Sequence, residues 1–300
     1  MMLLYAVVLD VLLRDPRWLP HPVNAIASFA RLLERLTKQT QLAGIAVWFA
    51  VVGTTCALVY LSLWLVDSSW LRVYWVYSFL AIGSLDRHAL DVIRRLKALD
   101  LPGARQSVAM IVGRDTANLT EREITRAVIE TVAENLNDGV VAPLFWLAVA
   151  GPVGMAGYKA INTLDSIFGY KNEKYLHFGW CSARMDDIAS WIPARLTAAM
   201  IWLVAALAPG QSGQQSIEIT LRDAHLQPSP NSGYPEAAVA GAMGVQLGGS
   251  NVYGGVVSYK ALLGDDLNPL TWRSYSPMRG ILYAVSTMAV LIVEGVFRWW

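Results

Sequence analysis

The segment 111–138 places charged side chains at the spacing of one helical turn. Arg126, Glu130 and Glu134 recur every four residues, so a helix would present them on one face, with Asp138 continuing the line. Carboxylate oxygens a turn apart suit Mg²⁺, which prefers oxygen ligands and keeps several waters that phosphate can replace. A solvated helix face with Arg–Glu pairs worth about 0.2–0.5 kcal/mol each explains the same spacing. The pattern therefore predicts either a metal site at Glu130, Glu134 and Asp138 or a solvated face.

The start of that helix is marked by its capping residues. Thr120 and Glu123 form a capping box, which predicts a helix that begins at about Glu121. Its apolar face, which is free to pack, comprises Ile124, Val128 and Val132.

A second polar segment, 158–187, also carries functional groups at helical spacing. Tyr158, Asn162 and Asp165 share one stripe, and Lys159 lies on the neighbouring stripe. These positions predict a helix with one polar face.

The end of this segment predicts another helix start. Ser182 is placed to cap a helix whose first turn contains Arg184, Asp186 and Asp187, where acidic groups favour the helix dipole. That capping role explains the two aspartates as well as a catalytic role does.

A third polar segment, 222–255, is interrupted by prolines and glycines. Pro228, Pro230 and Pro235 exclude a continuous helix, and Glu236 then opens a helix of small residues that lets a neighbour approach closely. The glycines that follow are Gly248, Gly249, Gly254 and Gly255. Their backbone N–H groups can approach a phosphate, although packing turns explain these glycines equally well.

Several familiar motifs do not occur in the sequence. It has no GxxxxGK[ST] phosphate loop, no GxGxxG fingerprint, no CxxC pair and no HExxH. The 4 histidines are scattered and only 2 cysteines occur, so we expect neither a histidine metal site nor a disulfide framework. A net charge of +1 argues against a nucleic-acid partner.

The composition indicates that the helices lie in a membrane. Hydrophobic residues make up 55% of the chain and charged residues 16%, against roughly 25% charged in soluble domains, so the excess apolar surface must face lipid. The apolar segments are 1–13, 42–66, 73–85, 140–158, 188–208 and 278–297. We expect the first of these to remain as a membrane segment, because it contains Asp10 and lacks a signal-peptide cleavage site. Arg195 is costly in lipid, so we expect it to face a polar cavity or a partner.

Basic residues orient the membrane segments. The loops 14–41 and 86–138 are rich in arginine and lysine, whereas 67–72 contains one arginine. By the positive-inside rule, the first two loops are cytoplasmic and the third is outside.

Two regions are expected to depart from simple spans. Proline and a GPVG sequence break 140–158, so we expect this segment and part of 188–255 to be re-entrant or to lie in the membrane without crossing. No strand-rich region is expected. The sequence thus predicts an all-α integral membrane protein, with 1–300 forming a single domain. We expect a multi-spanning helical bundle with broken or re-entrant segments and polar cytoplasmic-side helices.

The three polar segments, in this order, resemble the adenosylcobinamide-phosphate synthase family of cobalamin biosynthesis. The motifs that carry the resemblance are GRDT (113–116), ETVAEN (130–135), DGVVAPLF (138–145), YKAINTLDS (158–166), GYKNEKY (169–175), SARMDD (182–187), PARL (193–196), SPN (229–231), PEA (235–237), LGG (247–249) and DPRWLPHPV (15–23). They span the chain from end to end. Two positions depart from the family pattern. Arg14 replaces a usual glycine, which puts a glycine-dependent turn in doubt, and Leu136 replaces a small polar residue.

The resemblance implies an ATP-dependent ligation. A propionate carboxylate of adenosylcobyric acid is joined as an amide to the amine of (R)-1-aminopropan-2-yl phosphate or ethanolamine phosphate, with ATP and Mg²⁺ as cofactors. It implies a multi-pass protein of the inner membrane with an active site that faces the cytoplasm. The implied partners are membrane lipid and either a second copy of the chain or other late cobamide enzymes.

The resemblance also implies roles for the polar residues, because activation as an acyl phosphate or an adenylate requires a site for Mg²⁺ and phosphoryl charge. The catalytic candidates are Asp115, Glu130, Glu134, Asp165, Asp186 and Glu236. The metal candidates are Glu130, Glu134 and Asp138, with Asp165, Asp186 and Asp187 in reserve. The substrate and phosphate candidates are Arg114, Lys159, Asn162, Lys171, Arg184, Arg195 and Asn231. Either Asp115 or Glu236 can take a proton from the attacking ammonium, and the sequence leaves that choice open.

Two other functions compete with ligation. A transporter would use Arg195 and the broken helices, but it predicts paired broken segments in two related halves, and the sequence has no such symmetry. A non-catalytic membrane scaffold or sensor of the same fold predicts loss of the polar segments, which are complete here. The preferred amino-alcohol phosphate, the ATP site, the topology after residue 188 and the oligomeric state stay open.

Overall fold

The computed structural model describes residues 2–16, 18–170 and 172–299, with side chains described as far as Phe297. Its helices are α1 (Met2–Leu13), α2 (Pro22–Leu36), α3 (Gln41–Leu65), α4 (Ser69–Ser78), α5 (Ile82–Lys97), α6 (Leu101–Val108), α7 (Glu121–Leu136), α8 (Ala142–Phe168), α9 (Trp180–Ala189), α10 (Trp191–Leu207), α11 (Gly213–Asp223), α12 (Gly233–Met243) and α13 (Tyr275–Trp299). The strands are β1 (Leu247–Tyr253) and β2 (Val256–Leu263). Helix is thus the dominant structure, as the sequence predicts.

The chain divides into two compact units. The first comprises Met1–Ala81, Asp138–Pro193 and Ala289–Trp300, and the second comprises Ile82–Asn137 and Ala194–Met288. The polar segment 158–187 therefore belongs to the first unit, whereas 111–137 and 222–255 belong to the second.

Several helices have the length and composition of membrane spans. In the described chain these are Gln41–Leu65, the run Glu121–Phe168 and Trp272–Phe297. α9 and α10 together pass the same test, with a bend of 45° between them. α1 is apolar but has 12 residues, about 18 Å of helix, which is less than the ~30 Å hydrocarbon core. These helices confirm the expectation of a multi-pass membrane protein.

The apolar segment 73–85 is divided between two helices in the structure. α4 ends at Ser78 and α5 begins at Ile82. Between them, the Ala81 N–H donates to the Gly139 carbonyl at 3.1 Å instead of continuing a helical ladder. The hydrophobicity of this stretch reflects burial of the connection, since Phe79 and Leu80 are both buried.

The segment 140–158 is broken, as its proline and glycines predict. Inside α8, Ala150 and Gly151 leave helical geometry, and Gly151 has φ +63°, which glycine adopts without a steric penalty. Pro152 follows directly and has no N–H to donate. A π-helical turn, Asn137–Val141, precedes α8 and was not predicted.

A β-hairpin lies in the second unit, and here the expectation of no strands is wrong. β1 and β2 pair antiparallel, with Tyr253 opposite Val256. The two residues between them, Gly254 and Gly255, have φ +55° and +81°, as a tight hairpin turn requires. The sequence on either side, SNVY and VVSY, is rich in β-branched and aromatic residues, so the signal was present in the sequence.

α7 forms as its sequence predicts. It begins at Glu121 behind a complete Thr120–Glu123 capping box. Its apolar stripe, which comprises Ile124, Val128 and Val132, is fully buried. α12 packs on α7 and α11, and its small residues permit this because Gly241 lies directly against the Gln215 backbone. The second unit thereby holds the polar face of α7 next to the start of α12.

Candidate active site

Glu130, in the third turn of α7, is the centre of a buried ion-pair cluster. Its carboxylate is paired with the Arg114 guanidinium, and the Arg126 Nε lies 3.7 Å from Glu130 Oε1. The Gly248 N–H donates to the same oxygen at 2.8 Å. Glu130 is only 4% exposed, so this carboxylate is part of a buried network and not of a solvated helix face.

The hairpin fixes the two arginines of the cluster. Asn251 Oδ1 accepts from Arg114 Nη1 at 2.6 Å and from Arg126 Nη2 at 2.9 Å. Arg126 also donates to the carbonyls of Gly248 and Ser250. Gly248 has φ +81°, and a Cβ there would collide with the Ala261 carbonyl, so only glycine fits this close approach.

Asp115 anchors the tip of the hairpin. Its N–H donates to the Val252 carbonyl at 2.7 Å, and its Oδ2 accepts the Gly255 N–H at 2.8 Å. Asp115 is solvent-exposed. The glycine N–H groups at 248 and 255 thus bind carboxylates of the chain itself, which satisfies two of the four donors that the sequence offered to a phosphate.

Glu236, in the first turn of α12, is 1% exposed, and neither carboxylate oxygen has a hydrogen-bond partner among the described residues. Burial, together with the negative charge of Glu134 and Glu130, raises the pKa of Glu236 well above its ordinary value, against the opposing effect of Lys260. Lys260 lies on β2. Burial by itself lowers the pKa of Lys260, but the negative charges of Glu236, Glu134 and Glu130 outweigh burial and raise it.

Three further residues complete this cluster: Lys260, Asn251 and Arg126. The sequence did not mark them as catalytic, substrate-binding or metal-binding candidates. Lys260 is the only charged residue of the strand VVSYKALL, which was a usable signal. Asn251 gave no comparable signal, because its role depends on pairing across the hairpin.

The predicted metal residues are divided between the two units, with Glu130 and Glu134 in the second and Asp138 in the first. The Glu130 carboxylate is engaged by arginines and a backbone N–H, and Asp138 belongs to the first unit. Within the described ranges, no group of three or more Asp, Glu, His or Cys side chains is arranged to hold a metal ion. These carboxylates are of the type that Mg²⁺ prefers, but they do not form a ready site for it.

The first unit has its own polar cluster, centred on Asn162 of α8. The Asn162 Nδ2 donates to Asp138 Oδ2 at 3.4 Å and to Asp186 Oδ1 at 3.3 Å. Asp165 is close enough to Asp138 for the two carboxylates to interact electrostatically. Lys159 Nζ donates to the Asp138 carbonyl at 3.5 Å. The stripe predicted on α8 therefore faces two further aspartates.

The helix start predicted at Ser182 is wrong. α9 begins at Trp180 after Gly179, and Ser182 is buried inside the helix. Asp186 and Asp187 consequently lie beyond the first turn and have no capping role. Arg184 is largely exposed and lies 3.9 Å from Asp187.

The remaining candidates have separate environments. Arg195 stacks on the Tyr234 ring at 4.1 Å and donates to its hydroxyl at 3.2 Å, so the predicted partner exists. Asn231 is buried, and its N–H donates to Ser229 Oγ at 3.3 Å. Lys171 lies outside the described residues.

Comparisons with known proteins agree over almost the whole chain. The model of a family described as CobD/Cbib protein matches residues 3–281. A "Cobalamin biosynthesis protein CobD" of Pelobacter propionicus is 45% identical over 299 residues, which cover 96% of this chain and 92% of the relative. Proteins of the same name from Geobacter metallireducens and Listeria monocytogenes are 46% and 43% identical, covering 96% and 97% of this chain and 94% and 96% of the relatives. No solved structure matches the chain.

Proposed function

The chain belongs to the CobD/Cbib protein family, and we propose that it is a membrane ligase of cobalamin biosynthesis. It joins adenosylcobyric acid to (R)-1-aminopropan-2-yl phosphate or ethanolamine phosphate, with ATP as the source of activation. The names of the relatives support the pathway, and the polar cluster of the second unit supports the chemistry.

The observation that carries the proposal is the buried carboxylate of Glu236. The amine substrate arrives as an ammonium ion and cannot attack until it loses a proton. As the C–N bond forms, the bond from the activated carboxyl carbon to the phosphoryl oxygen breaks. Nitrogen gives up two protons in all: one goes to Glu236 and one to the departing phosphate. A carboxylate whose pKa is raised above its ordinary value is a stronger base and suits that transfer, whereas Asp115 is already bound to the hairpin turn.

The phosphoryl groups need cationic donors. Arg114 belongs to the Glu130 cluster and lies close enough to Glu236 to act on its charge. Arg114 already binds Asn251 through Nη1 and Glu130 through Nη2, but a guanidinium has five N–H donors, so Arg114 remains our candidate for a phosphate oxygen on the second unit. Lys159, Lys171 and Arg184 remain candidates for the nucleotide.

Mg²⁺ accompanies ATP in reactions of this type, where it neutralises phosphoryl charge when bound. Among the described residues, no group of carboxylates forms a ready metal site, so we assign no step of the reaction to the ion. The aspartates beside Asn162 remain the reserve set.

We place the protein in the inner membrane with this site facing the cytoplasm. The basic residues of 86–138 support that orientation, and Arg114 and Arg126 of the cluster are among them.

The test is amide formation by detergent-purified protein given adenosylcobyric acid, the amino-alcohol phosphate, ATP and Mg²⁺, followed by mass spectrometry. We expect product from the wild type and at least a hundredfold lower rate from Glu236→Gln, consistent with the ~10²–10⁴-fold contribution of a general base. The wild-type rate should rise with pH as Glu236 loses its proton, and the variant should lose that dependence.

A matched control is Glu218→Gln, the same chemical change on the exposed face of α11. It should keep the wild-type rate and pH profile. Absence of product from folded wild type with either amino-alcohol phosphate would contradict the proposed function. An unchanged rate in Glu236→Gln would contradict the assignment of the base.

A further inference from the structure

Glu236 is acted on by charged groups from two of the elements that pack on its helix and from one loop. α12 contacts α7, α11, β1, β2 and the short helical turn Ala224–Leu226. The titratable groups that act on Glu236 are Glu134 and Glu130 of α7, Lys260 of β2 and Arg114. Of these two cations, Arg114 already binds Glu130 and Asn251. Lys260 is therefore the cation that compensates the negative charge of Glu236.

The cluster contains buried groups that the described chain does not satisfy. Both oxygens of Glu236 lack a hydrogen-bond donor among the described residues. Asn251, which is 3% exposed, accepts both arginines through Oδ1, and its Nδ2 has no acceptor in the same part of the chain. Buried polar groups in proteins are nearly always paired, because an unpaired one loses its hydrogen bonds to water without replacement. The Arg126 Nε of the same cluster also has no hydrogen-bond partner among the described residues, so two acceptor atoms and two donors are available to a ligand.

The charges indicate what kind of ligand fits. A buried carboxylate beside Glu134 and Glu130 favours a cationic group with several N–H donors, which a primary ammonium supplies. The Lys260 ammonium and the Asn251 Nδ2 favour an anion with several acceptor oxygens, which a phosphate supplies. A short molecule with both groups matches the cluster better than a metal ion, because no three carboxylates of the described residues form a metal site.

We propose that Glu236 binds the amine of the amino-alcohol phosphate and that Lys260 and Asn251 bind its phosphate. This subsite rests on the proposed function, since the ligand is the amine substrate of that reaction. It assigns to Lys260 a role in selecting substrates that carry a phosphate on the alcohol.

The experiment compares three probes by isothermal titration calorimetry on the detergent-solubilised protein. The probes are (R)-1-aminopropan-2-yl phosphate, isopropyl phosphate, which lacks the amine, and (R)-1-aminopropan-2-ol, which lacks the phosphate. The ethanolamine phosphate series is run in parallel. For the wild type we expect each truncated probe to bind at least tenfold more weakly, because each probe lacks one charged group and the hydrogen bonds that this group would make.

Two variants separate the two ends of the ligand. Glu236→Gln should bind the amino-alcohol phosphate at least tenfold more weakly and leave isopropyl phosphate unchanged. Lys260→Met should weaken the amino-alcohol phosphate and leave the phosphate-free amino alcohol unchanged. Glu218→Gln is the control and should match the wild type for all three probes. A merely structural role for either residue predicts equal weakening of every probe.

The subsite is overturned if folded wild type binds neither amino-alcohol phosphate, or if both variants keep the wild-type preference among the probes. If Glu236→Gln does not fold, Glu236→Asp, which keeps the charge, provides the same comparison with a smaller expected loss. The proposed function is judged separately by the amide product. Product with an unchanged probe preference rejects the subsite alone, and the expected preference without product rejects the ligation alone.

Discussion

Glu130 shows most clearly how a side chain's partners decide its role. Helical spacing places Arg126 and Glu130 on one face, and the structure confirms that proximity. The spacing cannot reveal Arg114 or Asn251, because these partners come from another loop and from a strand 121 positions further along the chain (251 − 130). A sequence therefore predicts contacts within one helix, whereas burial and charge compensation depend on long-range pairing.

Removing Glu130 should be costly for stability. Glu130→Ala leaves Arg114 and Arg126 buried without a carboxylate, and losing one partner of a buried pair typically costs about 3–5 kcal/mol. Denaturant unfolding in detergent measures the loss. The control is Asp266→Ala, which removes the exposed Arg122–Asp266 pair at 2.7 Å and should cost about 0–1 kcal/mol. If both variants lose an equally small free energy of unfolding, Glu130 behaves as part of a solvated helix face and the buried-network interpretation is wrong.

Among the elements, local signals were reliable where the structure is local. The capping box of α7 and the proline-glycine break in α8 are both set by neighbouring residues, and both were predicted correctly. The start of α9 was misassigned because Gly179 lies so close to the Phe168 carbonyl that no side chain fits there. That close approach, and not a serine cap, sets where the chain turns into the helix.

The hairpin was missed because its glycines were interpreted as phosphate ligands or packing turns. Gly248 nevertheless provides a sharp test of the element. Gly248→Ala forces a positive φ on alanine and a collision with the Ala261 carbonyl, so it should displace the N–H that binds Glu130. We expect a loss of about 1–3 kcal/mol in unfolding free energy, in line with strained backbone sites.

The control for that variant is Gly113→Ala, at a position where the added methyl group would meet open space. It should change the unfolding free energy by less than ~0.5 kcal/mol, as surface substitutions usually do. If Gly248→Ala is equally mild, the hairpin tolerates a shift at this point and does not fix the Arg126–Glu130 geometry.

At the scale of the whole molecule, the sequence predicted the membrane class and most apolar segments from composition and length. The prediction of a single domain over 1–300 stays a prediction, and within the chain the structure distinguishes two compact units: 158–187 belongs to the first, and 111–137 and 222–255 belong to the second. Long-range packing creates this division, and it cannot be predicted from hydropathy along the chain.

Packing within the second unit leads to a prediction about topology. α12 packs on both α7 and α11, and we therefore expect the loops that lead into these helices to lie on one side of the membrane. Met110 and Gly210 are exposed positions in the loops that precede α7 and α11, and Asp67 is exposed in the loop predicted to be outside. After replacement of Cys56 and Cys181 by alanine, single cysteines at these three positions report the side directly. A membrane-impermeant maleimide should label Asp67→Cys in intact cells, and Met110→Cys and Gly210→Cys only after permeabilisation. Labelling of Gly210→Cys but not Met110→Cys in intact cells would separate the polar segments and contradict a shared cytoplasmic site in this unit.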